Sequence, residues 1–202
     1  MKIIKPNAQL LWVTPNAEAT IERAGRVCYK SEDKITHESS FKFIKMLLDR
    51  KHEAVLEHAC ASILFICDRG VTHELVRHRL ASYCQESTRY CNYGLDKFSN
   101  EISIIEPPQL SPEDRFLWEF HCKESEKTYL AMISEGVSPQ IARSILPTCL
   151  KTEIVVTTNF REWRHILKLR TSSAAHPQIR EIMEMALKIL KDISPTCFEE
   201  IK

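Results

Sequence analysis

The chain is expected to fold as a mixed α/β (α+β) protein, a central sheet flanked by helices, with more helix than strand. Three observations point there. Stretches with apolar residues three and four apart alternate with short β-branched or apolar runs. Helix starts are marked by Ser-Pro pairs and by Asn, while glycine is scarce, at 4 of 202 residues. The strand-like runs are too few to close a barrel, and no Gly-x-Gly-x-x-Gly sequence is present, which disfavours a Rossmann dinucleotide site.

The elements follow in order. Residues 10–14 form a short apolar run that stops at Thr14-Pro15-Asn16. Asn16 can cap a helix with Ile21, Ala24 and Val27 on its inner face. Thr36 can cap a second helix that buries Phe41, Ile44, Leu47 and Leu48. Residues 55–67 read as a strand, with Val55, Ala59, Ala61, Ile63 and Phe65 on one side. Gly70-Val71-Thr72 opens a helix that runs into Arg79, and a polar loop rich in hydroxyls follows. Ser111-Pro112-Glu113 is a strong start, a capping Ser with Pro at the first helical position, for what should be the longest helix, ending near Gly136. Ser138-Pro139 opens a short helix that Pro147 ends. Residues 153–158 are β-branched and read as a strand. Asn159 then caps a helix to Arg170, and residues 178–193 form a last amphipathic helix. No repeat or linker divides the chain, so residues 1–202 are expected to be a single domain.

Charge and cysteine narrow the classes. Lys plus Arg is 28 and Asp plus Glu is 27, a net charge of +1. No basic excess exists to hold a nucleic-acid backbone, so no nucleic-acid partner is expected. The apolar runs are too short to span a bilayer, and no membrane partner is expected. The start, Met-Lys-Ile-Ile-Lys-Pro, lacks the pattern of a secretory signal, which predicts a cytoplasmic location. The 8 cysteines show no Cys-x-x-Cys pair and read as reduced thiols among apolar neighbours; no metal site is expected.

Three segments carry polar groups a core does not need. They are residues 51–58 with His52, Glu57 and His58; residues 74–90 with Arg77-His78-Arg79 and then Ser82, Gln85, Ser87, Thr88 and Arg89; and residues 159–170 with Arg161, His165 and Arg170. Arg forks and hydroxyls are suited to a phosphate. The plainer alternatives are strand-end polarity for the first, a helix-dipole complement for the second and a solvated basic helix for the third. His52-Glu53 and His73-Glu74 start like a zinc-protease motif, but Leu56 and Arg77 stand where the second His is required. Cys84 and Cys91 lie among donors without a readable base, and a buried or spectator thiol is the better reading of each.

Arg77-His78-Arg79, seven residues, then Ser87, continuing into Thr88-Arg89-Tyr90, resembles the signature of the flavin-dependent thymidylate synthases (the ThyX family). The resemblance extends to residues 25–29, to His52-Glu53 with Glu57-His58, to residues 142–147 and to residues 159–170. It implies a ThyX-like fold, not a Rossmann domain, and conversion of dUMP to dTMP. Methylenetetrahydrofolate would be the carbon donor, FAD the redox carrier and NADPH the reductant. It also implies a homotetramer with active sites shared between subunits. Carried over by position, Arg77, His78, Arg79, Glu57, Asn159, Arg161, His165 and His52 would contact the flavin, His52 also the folate. Gln85, Glu86, Ser87, Arg89, Arg77 and Arg143 would bind dUMP, with Glu74 at the nucleotide edge where many members carry Gln. Arg170 would be the catalytic residue, polarising the uracil ring. Gln85 replaces a Glu and Ala54 a hydroxyl residue found in some relatives. A non-catalytic nucleotide- or RNA-binding protein, and a flavoprotein of other chemistry, are the alternatives.

Overall fold

The computed structural model describes residues 1–202. In chain order the strands are β1 (Lys2–Ile4), β2 (Asn7–Val13), β3 (Cys60–Asp68), β4 (Ala81–Gln85), β5 (Ser103–Ile105) and β6 (Lys151–Asn159). The helices are α1 (Ala17–Tyr29), α2 (Ser39–Asp49), α3 (Arg69–Leu75), α4 (Pro112–Ser134), α5 (Pro139–Ala142), α6 (Phe160–Arg170), α7 (Pro177–Ile193) and α8 (Pro195–Phe198). One sheet has the order β2-β3-β6-β4, and β1 pairs with β5 in parallel. The mixed α/β class with sheets flanked by helices is as the sequence predicts. No helix is long and apolar enough to cross a membrane.

The chain divides into two compact units. Residues 1–7, 66–75 and 84–154 make one, and residues 8–65, 76–83 and 155–202 make the other. In the first, Tyr93, Ile102, Ile104, Cys122, Tyr129, Ala142 and Leu150 form a buried cluster under α4 and β5. Ser111 caps α4 as expected, its Oγ accepting from Asp114 N at 3.1 Å. The Cys122 and Cys149 thiols lie 3.5 Å apart, unbonded.

In the second unit α1 and α2 pack through Gly25. A Cβ there would meet the Phe43 ring at 2.6 Å and Val55 at 3.3 Å, so glycine permits the close approach. The inner face of α1 is Ala17, Ile21, Glu22 and Gly25, not the expected Ile21-Ala24-Val27, and Val27 is exposed. A buried carboxylate on that face is tolerated because Glu22 accepts from Arg26 and from Ser39 Oγ, each at 2.8 Å. Asn16 precedes α1 in a left-handed conformation without a side-chain cap. Thr36 does not cap α2 either; the helix starts after Glu38, and Ser39 Oγ accepts from Thr36 N at 2.8 Å. Phe43, Ile44 and Leu47 are buried there, whereas Phe41 is exposed.

The strands differ from expectation in several places: β2 and β6 start earlier, at Asn7 and Lys151, β1 and β5 are additional, and β3 and β4 also differ. Residues 53–58 make a 3-10 turn, so β3 starts at Cys60, although Ala59, Ala61, Ile63 and Phe65 are all buried as expected. Residues 81–85, expected as loop, are a strand. Ala81, Tyr83 and Gln85 alternate with the exposed Ser82 and Cys84, a period of two hidden among hydroxyls. Cys84 and Cys28 are therefore exposed rather than core thiols, while Cys67, Cys122 and Cys197 are buried.

Candidate active site

Helix α6 lines a cavity of the second unit. Its inner face buries Phe160, Trp163, Arg164, Ile166 and Leu167, and Trp163 Nε1 donates to Ala61 O at 3.1 Å. That anchoring turns Arg161, His165 and Lys168 outward. Asn159 caps the helix as predicted, its Oδ1 accepting from Glu162 N at 2.8 Å. A cavity of about 460 Å³ lies along this face, lined by Glu57, Asn159, Arg161 and His165 of the expected cofactor set. Glu53, Leu80, Glu162, Arg164 and Lys168 complete the lining, and sequence reading did not assign them.

Charge in the lining is mixed and mostly paired. Arg161 donates to Glu57 at 2.6 Å on the surface, a contact worth little to stability. Arg164 is 1% exposed. It donates to Cys197 O, to Glu200 and, at 3.4 Å, to Glu53, while its Nε has no partner.

The Arg77-His78-Arg79 triplet is not helical. Helix α3 ends at Leu75, short of the expected Arg79, and side chains hold the carbonyls of the turn that follows. Tyr83 Oη donates to His78 O at 2.9 Å and Thr158 Oγ1 to Leu80 O at 2.7 Å, with Leu80 at a positive φ of 62°. Burial and the nearby Glu162 push the Tyr83 hydroxyl up to about 12, so it stays a donor. This turn buries His78 and leaves Arg77 and Arg79 exposed.

His78 meets two of the expected residues. Arg170 Nε donates to His78 Nε2 at 3.0 Å, and the His165 ring stands edge-on at 6.1 Å. Burial, then the Arg170 and His165 charges, depress the His78 imidazole from 6.5 to about 4. A neutral ring is what the hydrogen bond needs, since Nε2 must accept. His78, Glu162 and His165 each bring a ligand atom within 4.8 Å of the others. The guanidinium on His78 disfavours a cation there. His52 lies on the same unit, its Nδ1 3.2 Å from Tyr29 Oη.

The expected nucleotide residues Glu74, Gln85, Glu86, Ser87, Arg89 and Arg143 all belong to the first unit. Gln85 Nε2 donates to Thr72 Oγ1 at 3.0 Å and Thr152 Oγ1 at 3.3 Å, which aims its Oε1 as an acceptor. Ser87 starts a tight turn, its O accepting from Tyr90 N and Cys91 N and its Oγ from Arg89 N. Arg143 NH1 donates to the buried Thr88 Oγ1 at 3.2 Å, which braces one expected phosphate contact beside Ser87 and Arg89 in sequence. Arg89 is exposed, and Glu74 is half-buried on α3. The Glu86 carboxylate is engaged by Tyr93 and Lys151.

The chain is similar to known proteins. Residues 9–196 match the family described as thymidylate synthase complementing protein. A flavin-dependent thymidylate synthase of Corynebacterium efficiens is 34% identical over 98% of this chain and 85% of that protein. One from Geobacter sulfurreducens is 32% identical over 95% of this chain and 84% of its own length. The fold is similar to that of the UMP/dUMP methylase PolB from Streptomyces cacaoi, solved with 5-Br dUMP. The TM-score is 0.85 at 20% identity, over 98% of this chain and 96% of that one.

Proposed function

Because the chain belongs to the flavin-dependent thymidylate synthase family, we propose that it converts dUMP to dTMP. FAD would be the bound redox carrier, methylenetetrahydrofolate the carbon donor and NADPH the reductant. The single observation that carries the reading is the cavity along α6, where Glu57, Asn159, Arg161 and His165 line one wall. Its chemistry fits a flavin nucleotide. Arg161 and Lys168 offer exposed cations for a pyrophosphate, and the carboxylates can accept from hydroxyls or ring N–H. Volume and polarity suit part of a dinucleotide. When bound, the flavin supplies hydride chemistry that no side chain can.

The chain's own groups would bind, orient and polarise. Ser87, Arg89 and Arg143 would hold the dUMP phosphate, which carries about two negative charges at neutral pH. Gln85 Oε1, Glu74 and Arg77 would complete the nucleotide contacts. Arg170 would stabilise negative charge on uracil O4 and N3, raising electron density at C5. His78 holds the Arg170 guanidinium by accepting from Nε. His78, Arg79 and His52 would border the flavin, His52 with the folate. No protein nucleophile is needed, so Cys84, exposed on β4, is a spectator. We read residues 1–202 as one domain that acts in the cytoplasm as a homotetramer with shared sites. The exposed Phe116, Leu117 and Phe120 of α4 support a subunit contact.

The test is a visible spectrum with and without dUMP, followed by NADPH oxidation. The reading expects yellow protein, a dUMP-dependent change in the flavin bands, and dTMP formation. Colourless protein that takes up no FAD overturns it.

A further inference from the structure

Glu86 stands directly before Ser87, yet its carboxylate is fully committed elsewhere. Its Oε1 accepts from Tyr93 Oη at 2.9 Å and its Oε2 from Lys151 Nζ at 3.1 Å. The backbone is pinned too: Glu86 N donates to Glu153 O at 2.8 Å and its O accepts from Arg69 NH1 at 3.3 Å. Tyr93 is itself buried, with its N–H on Tyr129 Oη at 3.2 Å. The pair sits at a cavity of about 210 Å³ whose other charged walls are Lys2, Lys97 and Glu101. Lys151 also meets Glu153 at 2.5 Å. Burial alone would lower the Lys151 ammonium, but Glu153 and Glu86 raise it above its ordinary value, so it is charged at working pH.

We infer that the Lys151–Glu86–Tyr93 clamp is a positioning device for the nucleotide-phosphate loop. It fixes the start of the Ser87–Arg89 turn and keeps a carboxylate from repelling the phosphate. The inference rests on the reading of Ser87 and Arg89 as phosphate contacts. Glu86 then acts through its neighbours and does not touch the substrate. Release of the carboxylate places a negative charge one residue from a dianion, which weakens binding without altering the chemistry at the ring.

Steady-state kinetics of the flavin-loaded enzyme with varied dUMP tests this. Lys151→Met is expected to raise KM for dUMP roughly tenfold, with kcat and flavin content within about twofold of wild type. Lys151→Arg is expected to keep a near-wild-type KM. Adding Glu86→Gln to Lys151→Met, which neutralises the freed carboxylate, is expected to recover most of the loss. A merely structural defect would not respond to that second substitution. An unchanged KM in Lys151→Met, or a double variant no better than the single, overturns the inference. Should Lys151→Met fail to fold, Tyr93→Phe keeps the buried ring and removes one donor. It is expected to raise KM about threefold, and no rise overturns the inference. A wild-type enzyme that ignores dUMP overturns the phosphate reading as well, whereas failure of the variants beside a responsive wild type overturns the clamp alone.

Discussion

His78 should make the protein acid-sensitive in a defined window. The imidazole is depressed from 6.5 to about 4 by burial, Arg170 and His165. Between those values the unfolded chain binds a proton that the native ring refuses, so stability falls as pH drops through the window. The gap sets a ceiling of about 3 kcal/mol, reached below both values. At pH 5 the unfolded form is almost fully protonated and the native form almost not, which corresponds to about 2 kcal/mol lost relative to pH 8. His78→Gln keeps an acceptor for Arg170 but cannot titrate. Urea unfolding of both proteins at pH 8 and pH 5 isolates the residue, because every other titrating group is common to the pair. The wild type should lose about 2 kcal/mol more than the variant between the two pH values. Equal losses would show that His78 is not held neutral, and with it the Arg170 hydrogen bond would fall.

Other outcomes follow from single contacts. Arg170→Ala should cut the turnover to dTMP by a hundredfold or more, on the order of an oxyanion-site deletion, with flavin retained; loss of flavin in the spectrum would show that the residue serves the cofactor instead. Arg161→Ala should change stability by less than about 0.5 kcal/mol, since its pair with Glu57 is exposed, yet lower FAD occupancy, measured by absorbance against protein. Gly25→Ala should destabilise by about 1–3 kcal/mol through the clash with Phe43, read from the urea midpoint. Cys84→Ala should keep substantial activity; a folded, flavin-loaded but inactive variant would refute the spectator reading.

The parts legible in sequence are those whose cause is local. Ser111-Pro112 and Asn159 mark their helices because the capping atom and the amide it accepts from are three residues apart. The inner side of β3 is legible because Ala59, Ala61, Ile63 and Phe65 keep a period of two. The turn at residues 76–80 is not, because Thr158 supplies one of the bonds that hold it, 78 residues away from Leu80. Strand β4 is masked by its hydroxyls, and Glu22 on an apolar face makes sense only with Ser39 and Arg26 in view. In the candidate site, the residue types suited to a phosphate are readable from their pattern, whereas the engagement of Glu86 depends on Lys151, 65 positions later. Of the other cavity residues, Glu53 stands in the His52-Glu53 pair and Glu162, Arg164 and Lys168 in the 159–170 segment, but nothing local shows that they line one cavity with Leu80.

Arg164 joins the cavity along α6 to residues 197–200, through Cys197 O and Glu200. Such a guanidinium has no tolerable state once those acceptors go, so the two places are bound to change in step over descent. Lineages whose last turn is trimmed or rebuilt should carry an uncharged residue at position 164, and those that keep the arginine should keep an acid near position 200.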